Sequence, residues 1–165
     1  MIFVMLGTQN NSFHRLLEKI DELIKQEQIQ EEVIVQAGYT KYESKNMEIF
    51  DMIPRNELEN YQKEANLIIT HGGVGSIVSS LKQGKKVIAV PRLHEYGEHV
   101  NNHQQEIIKE FEEKGYIIGV SKVEELSNAI KKANTFEPKT YEAGNQKMLS
   151  LIENFIDSQF TKEKK

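Results

Sequence analysis

Six short apolar runs, residues 2–6, 33–35, 47–50, 67–69, 87–90 and 116–120, alternate along this chain with stretches of a different period. Apart from the run at 47–50, which contains Glu48, the runs are continuous rather than alternating, and Val and Ile dominate. A strand that is apolar on both faces is covered by helices on both sides, which is the habit of a parallel sheet. Between the runs, apolar residues recur every three or four positions, the mark of one buried helix face. Phe13, Leu16, Leu17, Ile20, Leu23 and Ile24 form the first such face. Leu58, Tyr61 and Ala65 form a short one after Pro54. Val100, Ile107, Ile108 and Phe111 form another, and Leu126, Ala129, Ile130 and Ala133 the next. Met148, Leu149, Ile152, Phe155 and Ile156 mark a final amphipathic helix. The alternation specifies an α/β domain, doubly wound and Rossmann-like, with a mostly parallel sheet. We assign residues 1–157 to that one domain and residues 158–165 to a flexible tail. Ser12 or Asn11 is placed to cap the first helix, and Ser121 with Glu124 has the spacing of a capping box.

The run at 67–69 leads into Thr70-His71-Gly72-Gly73-Val74-Gly75-Ser76, and a helix over 77–83 follows. A strand that turns into a helix through glycines exposes backbone N–H groups at the positive end of that helix, a seat for a phosphate. Gly72, Gly73 and Gly75 remove the side chains that would block close approach. His71 and Ser76 add donors. The same pattern also serves a tight turn with no ligand, so the motif alone leaves both readings open. In doubly wound sheets ligands bind beyond the carboxyl ends of the strands. That rule gathers three loops on one edge: residues 7–12, 71–76 and 92–104.

The third loop is the most unusual. Within the sixteen residues PRLHEYGEHVNNHQQE stand three of the five histidines, three glutamates, an arginine and two asparagines. His99 and His103 lie four apart and are expected to share a helix face. His94, Glu95 and Glu98 stand nearby, but the spacing matches no metal motif, and no metal is expected. His14 borders an apolar helix face, where packing or solvent contact explains it.

Bulk properties narrow the classes. The chain has 165 residues, enough to bury a core without disulfides or metal. Cysteine is absent, which excludes a thiol nucleophile and suits a reducing cytoplasm. A net charge of -4 disfavours a nucleic-acid surface. No apolar run approaches the roughly 20 residues of a membrane-spanning helix. The opening MIFVMLG lacks a basic flank and a cleavage site, so it reads as a buried strand rather than a signal peptide.

The order His71-Gly72-Gly73-Val74-Gly75-Ser76, then Gly84, Pro91 and His103-Gln104, resembles the donor half of a GT-B glycosyltransferase. More narrowly, it resembles family-28-type enzymes split into two chains. The opening GTQNNSFHRLLEKID and the stretch VPRLHEYGEHVNNHQ are similar to the small subunits of bacterial capsule and exopolysaccharide glycosyltransferases. The catalytic subunit of the eukaryotic dolichol-linked N-acetylglucosaminyltransferase is a more distant likeness. The resemblance implies a UDP-sugar as substrate, with no cofactor and no metal. It implies that Gly73, Val74, Gly75 and Ser76 meet the diphosphate, and that Gly72 and His71 belong to the same seat. His103 and Gln104 would hold sugar hydroxyls. Arg92, Glu98 and Asn102 would lie near the donor sugar or a partner, and Gly7 and Thr8 would floor the cleft.

Two positions depart from that pattern. Ser79 stands where many such enzymes carry a ribose-binding glutamate, and Gln9 stands where some bacterial relatives have histidine. Length matters more. A GT-B enzyme has two domains with the site between them, and this chain holds one. The resemblance therefore implies a membrane-anchored partner subunit that binds a lipid-linked saccharide acceptor. The chain itself would sit in the cytoplasm, peripheral at the inner face of the plasma membrane. The expected reaction is hexose transfer with inversion during cell-surface polysaccharide synthesis. Its general base resides in the partner or among His14, His94, Glu98 and His99. The alternative is a non-catalytic nucleotide-sugar-binding or regulatory subunit.

Overall fold

The computed structural model describes residues 1–142 together with Ser150 and Glu153. The expected amphipathic helix at 148–156 and the expected tail at 158–165 therefore lie outside the described residues, apart from those two positions. Six strands form one sheet: β1 (Ile2–Met5), β2 (Val33–Gln36), β3 (Glu48–Phe50), β4 (Leu67–His71), β5 (Val87–Val90) and β6 (Ile118–Gly119). Their order is β3-β2-β1-β4-β5-β6, and every neighbouring pair is parallel. The chain winds outward from β1 to β3, returns to the other side of β1 at β4, and winds outward again. The winding reverses between β1 and β4, so the loops leaving those two strands part and a crevice opens at their C-terminal ends.

Helices cover both faces, as the apolar strands require. Ile2, Val4 and Leu6 point to a core shared with α1 (His14–Lys25) and α5 (Leu126–Ala133). Phe3 and Met5 point the other way, toward Ile77 and Leu81 of α3 (Val74–Lys82) and Ile107, Ile108 and Phe111 of α4 (His103–Glu113). Leu58 and Tyr61 of α2 (Arg55–Glu64) pack on that second core. Strand positions alternate between two dry compartments, which is why β1, β2, β4 and β5 are buried at every position. No helix among the described residues is long and apolar enough to cross a membrane.

Several local expectations are corrected. Neither Asn11 nor Ser12 caps α1. The helix starts after Phe13, whose N–H donates to Thr40 Oγ1 at 2.9 Å, while Asn11 Nδ2 donates to Gly97 O. The capping box at Ser121 and Glu124 does not form either. A 3-10 turn at Val123–Glu125 precedes α5 and supplies backbone bonds in its place. Val100 is exposed and lies before α4, because Asn101 Oδ1 accepts the His103 N–H and delays the helix to His103. His99 therefore shares no helix face with His103. The last strand shrinks to Ile118–Gly119, since Tyr116 and Ile117 turn into the second core.

The connection from β2 to β3 is fastened by one carboxylate. Asp21 of α1 accepts from Tyr42 Oη at 2.8 Å, Ser44 Oγ at 2.9 Å and Asn46 Nδ2 at 2.8 Å, and Lys25 lies 3.6 Å away. Burial alone would raise its pKa; the three hydrogen bonds and Lys25 outweigh that and hold it below the ordinary carboxylate value. Asp21→Ala is expected to destabilise the fold by about 1–3 kcal/mol through the donors left behind. Urea unfolding at neutral pH reads this out, and an unchanged midpoint would show the fastening to be dispensable.

Candidate functional site

The crevice between β1 and β4 holds a cavity of about 620 Å³. Gly7, Thr8 and Gln9 form one wall, at the end of β1. His71, at the end of β4, and Gly73, Val74, Gly75, Ser76 and Ser79 form the opposite wall. Arg55, Leu58, Glu59 and Gln62 of α2 line one side, and Gln104 of α4 reaches in.

Each wall is shaped by backbone needs. Gly7 has φ +77°, and its peptide is gripped on both sides by Gln36, whose Oε1 accepts the Gly7 N–H and whose Nε2 donates to Gly7 O at 3.0 Å. A Cβ at Gly7 would run into the His71 ring. Gly73 precedes α3 with φ −74° and ψ 130°, an ordinary conformation, yet a Cβ there would also strike the His71 ring. Two glycines therefore flank one imidazole edge and leave it open toward the cleft. No side chain caps α3, and its first turn carries no acidic residue. The N–H groups of that turn have no helical partner. They line the cavity wall at the positive end of the helix dipole.

His71 is buried, and its pKa is pushed down to about 3. Burial is the main cause, with the Arg92 guanidinium and His99 adding to it. At neutral pH the ring carries no charge. Its Nδ1 lies 3.2 Å from Gln104 Nε2, and its Nε2 lies 3.4 Å from Ser76 Oγ. Arg55 is the cationic side chain on the cavity wall, and it is paired with Glu59 at 3.1 Å.

Of the residues singled out from sequence, Gly7, Thr8, His71, Gly73, Val74, Gly75, Ser76 and Gln104 meet around this cavity. Gly72 sits behind it, packed on α4, with its N–H donated to Gln104 Oε1 at 2.9 Å. Arg92 is 1% exposed and lies under the floor, where it donates to Leu6 O and Asn11 O at 2.7 Å and to Glu98 O at 3.1 Å. Glu98 is also buried; it takes a two-point bond from Arg15 and accepts the Leu93 N–H. Asn102 Oδ1 accepts the His94 N–H, so both residues brace the outer loop. His103 stands at the start of α4, 3.4 Å from Glu106. His14 faces a different hollow, beside Tyr42 and Glu18. None of His14, His94, Glu98 and His99 lines the crevice.

Sequence reasoning missed the α2 wall. Arg55, Glu59 and Gln62 carry no motif and reach the crevice only because α2 returns alongside α3. Gln62 was the most hidden of them: it is fully buried, and its Nε2 donates to Ser79 Oγ at 2.8 Å and Ser80 Oγ at 3.2 Å. Ser79 is thereby fastened, and its own hydroxyl donates to Ser76 O.

Comparison with known proteins agrees with the fold. The family described as "Glycosyltransferase family 28 C-terminal domain" matches residues 1–158. The UDP-N-acetylglucosamine transferase subunit ALG13 of Kluyveromyces lactis is 34% identical over 98 residues, which is 59% of this chain and 42% of that protein. The chain thus spans less than half the length of the curated relatives it matches. Among solved structures, an NMR structure of ALG13 aligns over 91% of this chain and 93% of its own, with TM-score 0.60 and 19% identity. MurG from Acinetobacter baumannii aligns over 78% of this chain and 40% of its own, with TM-score 0.55 and 18% identity. At such identities the structural matches speak for the fold.

Proposed function

The chain belongs to the glycosyltransferase family 28 C-terminal domain family over residues 1–158, and from that premise we propose that it is the donor-binding subunit of a two-chain UDP-sugar hexosyltransferase. The observation that carries the reading is the crevice at the β1/β4 reversal. An uncapped α3 N-terminus, the His71 ring and the glycine edges of both loops converge there. Val74, Gly75 and Ser76 would offer N–H groups to the diphosphate, and the Ser76 hydroxyl a further donor. Stabilising that diphosphate makes it a better leaving group, a preorganised electrostatic contribution. The charge is met by backbone dipoles and a neutral imidazole, so no metal is invoked.

Gln104 would touch the donor sugar with the amide N–H that its bond to His71 leaves over. Arg92, Glu98 and Asn102 would act beneath and beside the site by fixing its loops. The acceptor, a lipid-linked saccharide, and the base that activates its hydroxyl would come from a membrane-anchored partner. That division follows from the four candidate bases all lying outside the crevice. Transfer with inversion, a role in surface polysaccharide synthesis and a peripheral place at the inner membrane face complete the proposal. A non-catalytic nucleotide-sugar-binding role is favoured by one observation. Ser79, in the ribose-binding position, is a short hydroxyl already engaged by Gln62 and Ser76.

Calorimetric titration with UDP and ADP tests the donor class. UDP is expected to bind and ADP to bind more weakly; equal or absent binding removes the proposal. Gly73→Ala should weaken UDP binding by about tenfold or more, because a methyl group displaces a donor from a desolvated site. Gly84→Ala is the control: that glycine has φ +71° but open space around it, so strain without loss of affinity is expected. Transfer of radiolabelled sugar by the complex with its partner separates the catalytic reading from the binding one.

A further inference from the structure

We propose that Gln104 is a positioning residue that locks His71 as the neutral Nε2–H tautomer, so that the ring presents a fixed, uncharged donor to a diphosphate oxygen. This rests on the donor-binding reading above for its ligand, but not for the tautomer.

The argument begins with two backbone donors. Gln104 Oε1 lies 2.9 Å from the Gly72 nitrogen and 2.9 Å from the Arg92 nitrogen. Both are peptide N–H groups and can only donate, so the atom that meets them must be the amide oxygen. That fixes which way the amide faces. Its nitrogen then faces His71 Nδ1 at 3.2 Å. An amide nitrogen donates and does not accept, so Nδ1 must offer its lone pair. A neutral ring with an unprotonated Nδ1 carries its proton on Nε2.

The position of Nε2 gives that proton a use. The ring edge lies between Gly7 and Gly73, where any Cβ would collide with it. Nε2 lies 3.4 Å from Ser76 Oγ, a long distance for a hydrogen bond. The groups facing the ring are Gln104 from α4, Ser76 from α3, the Gly7 backbone beyond β1, and Arg92 and His99 from the segment after β5. None is an anion. Protonating Nδ1 would set two N–H dipoles against each other and add a cation near Arg92. The bracket also ties the β4 turn to the end of β5, so the tautomer is set by the same bonds that hold the loops.

The test starts without ligand. In the wild-type chain labelled with 15N-histidine, long-range proton–nitrogen correlation should show His71 with a protonated Nε2 and a bare Nδ1, unchanged from pH 5.5 to 8. A protonated Nδ1, or a ring that titrates in that range, overturns the proposal whether or not UDP binds. Gln104→Glu keeps an oxygen for both backbone donors and turns the other end into an acceptor. His71 should then carry a proton on Nδ1. UDP affinity should acquire a new pH dependence, at least about tenfold weaker at pH 8 relative to wild type and recovering toward acid. The ligand's own ionisation cancels in that ratio. A Gln104→Glu chain with unchanged nitrogen shifts and an unchanged affinity ratio overturns the proposal. If Gln104→Glu fails to fold, the wild-type spectrum decides alone. If the tautomer is as stated and UDP does not bind the wild type, the donor-binding reading fails and the proposed use of the proton falls with it, while the lock by Gln104 is upheld.

Discussion

Arg92→Met should unfold this protein more readily than any exposed substitution, costing about 3–5 kcal/mol, because it leaves a buried polar network without its centre. Three carbonyls from two loops, Leu6 and Asn11 after β1 and Glu98 after β5, depend on one guanidinium that is 1% exposed. Its Cζ also lies 5.1 Å from the Phe13 ring centroid. Burial lowers the Arg92 pKa to about 10, with Glu98 acting to raise it, so the group stays charged at neutral pH. Methionine fills much of the volume and satisfies none of the acceptors. A fall in Tm on the order of 10 °C follows for a chain of this size. The sequence suggested instead that Arg92 lies near the donor sugar or a partner. If so, Arg92→Met would keep its Tm and lose only affinity. Differential scanning calorimetry beside a UDP titration separates the two, and an unchanged Tm with weakened binding refutes the structural role.

Arg92 also shows where sequence reading reached its limit. Continuous Val and Ile runs revealed the sheet, because burial on both faces leaves a local trace in each strand. The glycine turn was legible for a similar reason: strand, glycines and helix are contiguous, so this wall of the cavity is built largely from adjacent residues. The interior of the loop at 92–104 was not legible. A stretch dense in His, Glu, Asn and Arg reads as a ligand site, yet Arg92 and Glu98 spend their polar atoms on Arg15 and on carbonyls of distant segments. Long-range satisfaction of buried donors and acceptors has no period and no motif. The α2 wall was hidden likewise, since Arg55 and Glu59 meet the crevice only through the winding of the chain. Helix ends erred for a third reason: Thr40, from another segment, took the donor that Asn11 or Ser12 was expected to satisfy.

The neutral burial of His71 predicts an acid sensitivity of the fold. In the unfolded chain a histidine gains its proton near pH 6.5. In the folded chain His71 resists until about pH 3. Between those values the unfolded state binds the extra proton, so stability rises with pH and is lost as pH falls. The slope approaches about 1.4 kcal/mol per pH unit below the unfolded value, and the loss between pH 6.5 and 4.5 is roughly 2 kcal/mol. Asp21 and Glu31 have lowered native pKa values and act in the same direction, but their loss begins where unfolded carboxylates start to protonate, near pH 4 to 5. The upper part of the window therefore belongs to histidine. His71→Asn is the matched variant, because Asn Oδ1 stands close to where Nδ1 accepts from Gln104. Its urea-unfolding free energy should be flatter than that of the wild type from pH 6.5 to 4.5, by about the amount given above. Parallel curves would mean that His71 is protonated within the fold at mild acid, and the uncharged donor at the centre of the crevice would have to be abandoned.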